Sequence, residues 1–125
     1  MIALDASALL TLLFREPGHG IVASHLGDAC LSAVNFAEVV GRFVRDGHPG
    51  GPVADRIAAG PLVIVPFGVP DAALAASLLP ATRPLGLSLA DRACLALGLA
   101  RGIPVLTADR VWAELDVGVE VVLLR

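Results

Sequence analysis

The chain has 125 residues, enough for one domain with a buried core, and 56% of its residues are hydrophobic against 17% charged. The net charge is −3, and all nine basic residues are arginine, so the chain has no lysine. This excludes mechanisms that need a lysine, such as P-loop nucleotide hydrolysis, Schiff-base chemistry and aspartate phosphotransfer. The longest charge-free run has 14 residues and contains prolines, which is too short to span a membrane.

Cysteine and histidine usage gives no sign of a disulfide framework or a zinc site. Cys30 and Cys94 lie in apolar segments far apart in the sequence. His19, His25 and His48 are widely spaced, and we expect them on the surface. The chain begins with an acidic rather than a basic segment, unlike a secretory leader. We therefore expect a cytoplasmic protein that does not associate with a membrane.

Short apolar runs alternate with helical segments along the chain. The predicted strands cover residues 2–4, 29–31, 62–67, 103–106 and 119–124. The predicted helices cover residues 6–14, 21–26, 33–46, 53–59, 72–79, 88–101 and 110–115, with a loop over residues 48–52. This alternation predicts an α/β fold, with a central, mostly parallel sheet and helices on both faces, formed by residues 1–125 as one domain. In such sheets ligands bind beyond the carboxyl ends of the strands.

Two aspartates directly follow predicted strands. Asp5 comes after the first strand and Asp109 after the fourth. Each is a good N-cap for the helix behind it, and for Asp5 alone capping is the favoured interpretation. Thr107 is also a good capping residue, so two cappers precede the helix over residues 110–115. Asp109 is therefore open to both interpretations, a cap or a functional residue.

The helix over residues 33–46 has one apolar and one polar face, and Ser32 is its predicted cap. The apolar face, predicted from spacing i, i+3, i+4 and i+7, carries Phe36, Val39, Val40 and Phe43. The opposite face carries Asn35, Glu38, Arg42 and Arg45. Taken alone, Glu38 is best explained by an exposed pair with Arg42, worth about 0.2–0.5 kcal/mol. The alternative is that this face walls a polar cleft.

The helix over residues 88–101 is apolar almost all round, which predicts burial. Asp91 lies in it without a basic residue three or four positions away, and an unpaired buried carboxylate costs several kcal/mol. A capping box with Ser88 would explain Asp91 structurally. A bound cation would satisfy it more fully, and we favour a functional role here.

Taken together, the acids suggest one cleft lined by Asp5, Glu38, Asp91 and Asp109. Four carboxylates a few ångströms apart cannot all stay ionised without a cation. With oxygen ligands only, we expect Mg²⁺, with Mn²⁺ as a substitute. Such an ion implies attack on a phosphodiester by an activated water.

Other polar side chains would support such a site. Ser7 and Thr107 lie two residues from Asp5 and Asp109, and their hydroxyls would orient water or phosphate, or would bond local backbone. Arginines near the acids would hold a nucleic-acid backbone; these are Arg15, Arg42, Arg92 and Arg110.

Four segments resemble the PIN-domain nucleases, and most closely the VapC-type toxins of bacterial toxin–antitoxin pairs: IALDASALLTLLFREPG, LSAVNFAEVV, LSLADRACLALGLARGIPVLTADR and EVVLL. The resemblance follows nearly the whole chain in order and is weakest over residues 49–84. It implies a three-layer PIN-like fold. The catalytic residues that it implies are Asp5, Glu38, Asp91 and Asp109, with Asp5, Asp91 and Asp109 as metal ligands and Ser7, Asn35 and Thr107 as supporting residues.

The activity that the resemblance implies is a Mg²⁺-dependent endoribonuclease that inhibits translation, is inhibited by a cognate antitoxin and forms a homodimer. Members of the family often carry a further acid after the last one, and Glu114 and Asp116 are both candidates. Antitoxin contacts are expected from apolar residues of the first helix, although core packing is their commoner use; these are Leu9, Leu12, Leu13 and Phe14. The alternative is a catalytically inactive PIN-like interaction module that docks a protein partner.

Overall fold

Five short strands form one sheet in the order β3-β2-β1-β4-β5 in the computed structural model, which describes all 125 residues. The strands are β1 (Ile2–Leu4), β2 (Ala29–Ser32), β3 (Val63–Val65), β4 (Val105–Thr107) and β5 (Val121–Leu123). Every neighbouring pair is parallel. The predicted α/β class is confirmed, and the sheet is wholly rather than mostly parallel.

Seven α-helices flank this sheet. They are α1 (Ala6–Leu13), α2 (His19–His25), α3 (Ala33–Arg45), α4 (Gly50–Ala59), α5 (Val69–Ser77), α6 (Leu79–Thr82) and α7 (Leu89–Arg101). A 3-10 turn, Arg110–Glu114, follows β4 where a short helix was expected. No helix combines the length and the apolar character that a membrane crossing requires.

The sequence prediction was wrong in the middle of the chain, where proline is frequent. The predicted loop over residues 48–52 is partly helical, because α4 begins at Gly50. Pro52 lies in the first turn of α4, where its missing N–H is not needed. The strand predicted over residues 62–67 ends at Val65, since Pro66 cannot donate to a sheet ladder. The helix predicted over residues 72–79 begins earlier, at Val69, and is separated from α6 at Leu78.

Side chains of each strand point alternately to the two faces of the sheet, and this divides the core into two layers. Ile2 and Leu4 pack in one cluster with residues of α1, α2 and α3, whereas Ala3 packs in the other with residues of α7. Successive side chains of a strand point to opposite faces of a sheet, so the two clusters lie on opposite sides. The three-layer arrangement with helices on both faces is therefore confirmed.

The strand order places a topological switch point between β1 and β4. From β1 the chain moves outward through β2 to β3, and it then returns to pair β4 with the other side of β1. Connections on either side of such a point diverge, which leaves a crevice beyond the carboxyl ends of the two strands. Asp5 follows β1 and Asp109 lies two residues after the end of β4, so both acids lie at this crevice.

The close packing of α7 on the sheet gives a test of the second core layer. A Cβ atom at Gly98 would lie 2.7 Å from Val105 Cγ1 and 2.9 Å from Val119 Cγ2. We expect Gly98→Ala to lower the free energy of unfolding by about 1–3 kcal/mol, because overpacking outweighs the gain in helix propensity. Gly41→Ala in α3 is the matched control, since a Cβ atom there would have no neighbour within 4 Å and the site is exposed. Urea unfolding should show Gly41→Ala to be neutral or stabilising; equal effects of the two substitutions would contradict this packing.

Candidate functional site

Asp5 is the buried centre of the crevice, with only 4% of its surface exposed. Its Oδ1 accepts hydrogen bonds from the Ala8 N–H (2.8 Å) and the Ser7 hydroxyl (2.7 Å), and its Oδ2 accepts from the Thr107 hydroxyl (2.7 Å). Burial raises the pKa of Asp5 to about 6, although these hydrogen bonds oppose the increase, and the charge of Asp91 raises it further. Asp5 is therefore a helix cap, as expected, but it is also a carboxylate whose negative charge is poorly compensated.

The two hydroxyls connect Asp5 to the loop after β4. Ser7 Oγ accepts a hydrogen bond from the Ala108 N–H, and Thr107 Oγ1 accepts one from the Asp109 N–H, each at 3.0 Å. Each hydroxyl has a single proton, which it donates to Asp5, so its remaining capacity is as an acceptor. The position of Asp109 is thus set by Asp5 through Thr107.

Asp109 itself caps the 3-10 turn, because its Oδ1 accepts from the Val111 N–H at 3.1 Å. The capping interpretation of Asp109 is therefore confirmed, and Thr107 bonds the Asp109 backbone instead of capping the turn. The Asp109 carboxylate remains partly exposed at the crevice beside Asp5.

Asp91 completes a capping box at the start of α7. Its Oδ2 accepts from the Ser88 N–H (2.8 Å), and the Ser88 hydroxyl accepts from the Asp91 N–H (3.2 Å). The structural interpretation is therefore correct as far as it goes. The Asp91 charge nevertheless raises the pKa of both Asp5 and Glu38, which shows that these three acids share one electrostatic environment. The expected burial of α7 is broken at Leu89, which is exposed at its first turn.

Glu38 does not form the expected pair with Arg42, which instead bonds Asp46 at 3.1 Å. Its Oε2 accepts from Asn35 Nδ2 at 3.3 Å. Burial raises the pKa of Glu38, the hydrogen bond from Asn35 lowers it, and the charge of Asp91 raises it. Asn35 was expected on an open polar face but is fully buried, because this part of α3 packs against α7. The polar-cleft interpretation of Glu38 is the one that the contacts favour.

The oxygen atoms of the site are suitable ligands for a hard divalent cation, but the acidic side chains are not oriented to bind one together. Asp5, Asp91 and Asp109 offer only oxygen atoms, the ligands that Mg²⁺ prefers. No group of three acidic, histidine or cysteine side chains is arranged to hold a metal ion. Asp91 and Asp109 are instead turned onto backbone N–H groups, so a cation would compete with bonds worth about 1 kcal/mol each. The expected close cluster of four carboxylates is thus not formed by these side-chain orientations.

The four arginines expected to contact nucleic acid differ in availability. Arg42 lies over the Phe14 ring as well as bonding Asp46. Arg92 is half-buried and donates to the Leu87 carbonyl at 3.1 Å, so it faces the protein rather than solvent. Arg15 and Arg110 are exposed without an ion-pair partner, and only these two remain open to a ligand.

Several other candidate residues are not joined to the site. Glu114 and Asp116 are exposed and bond no residue of the crevice. His19 and His48 are exposed as expected, whereas His25 is half-buried at the end of α2.

Trp112, which the sequence reasoning did not single out, lies fully buried three residues after Asp109. It packs in the second core layer with Cys94 and Leu95 of α7. The available signal was its position: it is the only tryptophan in the chain and lies in the turn that Asp109 caps. Trp112 thus anchors the Asp109 turn to the helix that carries Asp91.

An apolar groove of about 390 Å³ lies on the other helical layer, away from the acids. Leu12 and Leu13 of α1 line it, together with Phe43 of α3 and Ile57 of α4. Leu9 also reaches the groove but is buried in the core. The expectation of core packing holds for Leu9, while Leu12 is half-buried and Leu13 and Phe14, the residue that ends α1, are exposed.

The raised pKa of Asp5 predicts a pH-dependent stability. Because the pKa is about 6 in the folded protein and about 3.8 when exposed, the folded state binds the extra proton between these values. The stabilisation is complete below about pH 4 and is lost as pH rises through about 6, a difference of at most about 3 kcal/mol. In EDTA, we expect Asp5→Asn to raise the melting temperature at about pH 7.5 and to change it little at about pH 4. Asparagine can still cap α1.

The control for this measurement is Asp55→Asn, an exposed acid in α4. It should leave the melting temperature nearly unchanged at both pH values. A loss of stability in Asp5→Asn at neutral pH would contradict the account of Asp5 as a buried carboxylate whose charge destabilises the fold.

Comparison with known proteins places the chain in a family. The sequence matches the PIN domain over residues 2–118. No curated protein matches it significantly in sequence. Among solved structures, the fold is similar to that of a toxin–antitoxin complex from Klebsiella pneumoniae (16% identity, TM-score 0.75), covering 100% of this chain and 98% of that one.

Two further structures have the same fold at low identity. VapC20 of Mycobacterium tuberculosis, a sarcin–ricin loop cleaving toxin, is 17% identical with a TM-score of 0.71, and the match covers 96% of this chain and 99% of that one. FitAcB from Neisseria gonorrhoeae is 23% identical with a TM-score of 0.68, and the match covers 97% and 96%. Since the PIN domain match spans almost the whole chain, this protein belongs to the PIN domain family.

Proposed function

We propose that this protein is a Mg²⁺-dependent endoribonuclease and the toxin of a toxin–antitoxin pair. The observation that carries the proposal is the buried carboxylate of Asp5 at the switch point, with a pKa of about 6 and the charge of Asp91 acting on it. A buried acid beside a second acid is costly for a purely structural site. Membership of the PIN domain family and the fold shared with toxin–antitoxin structures support the same conclusion.

The acidic residues would have different roles in the reaction. Asp5, Asp91 and Asp109 would hold the cation, with Mn²⁺ as a substitute for Mg²⁺. Bound Mg²⁺ supplies Lewis-acid stabilisation of the charge that develops on phosphodiester oxygens. Ser7 and Thr107 fix the orientation of Asp5 and the position of the Asp109 loop, as their hydrogen bonds indicate.

Glu38 is suited to accept the proton of the attacking water. Its Oε2 is engaged by Asn35, whereas its Oε1 makes no hydrogen bond within the protein. Burial raises its pKa above the ordinary glutamate value, the hydrogen bond from Asn35 lowers it and the Asp91 charge raises it, and a higher pKa makes the carboxylate a stronger base.

RNA is the proposed substrate, and VapC20, with the same fold, cleaves the sarcin–ricin loop. Exposed Arg15 and Arg110 carry no protein partner and are available to phosphate groups. The net charge of −3 makes the chain a poor general nucleic-acid binder, so occupation of the acids by a cation would favour RNA binding. Translation would be inhibited through loss of the RNA that is cut.

The apolar groove would receive the cognate antitoxin. Its wall combines leucines of α1 with Phe43 and Ile57, and its edge carries Arg56. Such a groove fits the apolar face of an amphipathic helix with an acidic residue beside it. Several structures with this fold are toxin–antitoxin complexes. A homodimer would cover further apolar side chains, such as Val69, which is 84% exposed.

The second candidate is a catalytically inactive interaction module. The capping bonds of Asp5, Asp91 and Asp109 favour it, because each acid already has a structural role. The raised pKa of Asp5 weighs against it, since an asparagine would cap α1 equally well without the cost of a buried charge.

RNA cleavage by purified, antitoxin-free protein tests the two candidates. We expect cleavage in Mg²⁺ and none in EDTA, with Asp91→Asn reducing the rate by about 100-fold or more. The matched control is Asp71→Asn, because Asp71 makes the same 2.8 Å capping bond at the start of α5, to Gly68 N–H, and is not one of the proposed catalytic acids. Asp71→Asn should retain the wild-type rate. Intact RNA with wild type in Mg²⁺, or equal rates for the two variants, would contradict the nuclease proposal.

A further inference from the structure

Asn35 is an unusual residue for the place that it occupies. It lies in the first turn of α3 with no exposed surface, and Val39 is the only other fully buried residue of that helix. Asparagine is seldom fully buried, because both ends of its amide need partners. The contacts of Asn35 therefore call for an explanation beyond packing.

The amide nitrogen of Asn35 joins two elements of the site. Nδ2 donates to the Ala90 carbonyl of α7 at 3.0 Å and to Glu38 Oε2 at 3.3 Å. Both of its protons are thus used, one on the residue before Asp91 and one on Glu38. The opposite orientation of the amide would set its oxygen against two other oxygens, so these contacts fix which end is the nitrogen.

The amide oxygen is left unpaired by this arrangement. Asn35 Oδ1 is buried and has no hydrogen-bond partner in the protein. Leaving a buried acceptor unpaired lowers the stability of the folded state. A leucine would fill similar space without that penalty, so stability alone does not account for an asparagine.

Neither partner needs Asn35 for its own stability. Ala90 lies in α7, where its carbonyl is also within the helical hydrogen-bond ladder. Glu38 is exposed enough for its carboxylate to be hydrated without Asn35. What Asn35 adds is a fixed direction for the Glu38 carboxylate relative to the start of α7.

We infer that Asn35 is a positioning residue for the reaction, whose Nδ2 holds Glu38 Oε2 against the Asp91 end of α7 so that Oε1 faces the crevice. This inference rests on the proposed nuclease function and assigns Asn35 a role in it that acts through Glu38. Asn35 has no exposed surface, so its role would act through Glu38. Removing it frees the Glu38 side chain to rotate into solvent.

A double-mutant cycle with Asn35→Leu and Glu38→Gln tests this role. We expect Asn35→Leu to lower kcat for RNA cleavage in Mg²⁺ by about 10- to 100-fold, the cost of misplacing a reacting group, with KM within about twofold of wild type. In the Glu38→Gln background, Asn35→Leu should have no further effect on kcat, because the group that it positions is already absent. The melting temperature of Asn35→Leu should equal or exceed that of wild type.

The control variant is Thr82→Val, which removes a buried side-chain hydrogen bond to the Leu78 carbonyl on the far side of the sheet. It should lower the melting temperature and leave kcat unchanged. The inference would be overturned if Asn35→Leu had the same effect on kcat in both backgrounds. It would also be overturned if the loss of kcat came with a lower melting temperature or a failure to fold. In either case, cleavage of RNA by the wild type would leave the proposed function intact. A wild type that does not cleave RNA would overturn both.

Discussion

The burial of the Asp5 carboxylate between the ends of β1 and β4 is the constraint on which the rest of the site depends. A charge removed from water must be compensated by hydrogen bonds, and three donors converge on this one: the Ala8 N–H, the Ser7 hydroxyl and the Thr107 hydroxyl. They do not compensate it fully, because burial still raises its pKa to about 6. The fold thus holds an acid in place with an unfavourable charge, which is the condition that a cation relieves.

The same bonds that hold Asp5 organise the surrounding elements. Thr107 and Ser7 each pass a hydrogen bond on to the loop after β4, so α1 and the Asp109 turn are fixed to each other through the buried acid. Trp112 then anchors this turn against α7 from the opposite side of the sheet. A substitution of Asp5 would therefore alter hydrogen bonds to the backbone of both α1 and the loop after β4.

A cation would compete with the capping bonds of Asp91 and Asp109, but each of these acids has a second carboxylate oxygen that the cap does not use. At the start of a helix, a carboxylate accepts a hydrogen bond from an unpaired backbone N–H, and this fixes its position. Its second oxygen and its remaining lone pairs stay available to bind a cation. Asp91 uses Oδ2 for Ser88 and Asp109 uses Oδ1 for Val111. Asp5 and Asp109 are caps that follow the neighbouring strands β1 and β4, so the parallel sheet places both acids at the same edge.

The α/β class, the strand-end acids and the capping box were predictable because they follow from local signals: short apolar runs, residues that follow them directly, and a Ser–Asp pair three positions apart. The sequence did not predict the burial of Asn35, because helical periodicity placed it on the polar face and only the packing of α3 on α7 encloses it. The engagement of Arg42 and Arg92 depends on side-chain rotation, which spacing does not encode. Proline misled the prediction around α4 because it is tolerated in the first turn of a helix.

The central claim is that Asp5, Asp91 and Asp109 together hold one divalent cation, and a crystal structure with Mn²⁺ tests it most directly. Anomalous scattering identifies the ion independently of the protein density. The expected result is a single peak at the carboxyl ends of β1 and β4, bonded to oxygen atoms of all three aspartates. The claim is contradicted if that position shows no peak while Asp91 remains bonded to the Ser88 N–H and Asp109 to the Val111 N–H, since these acids would then be helix caps alone.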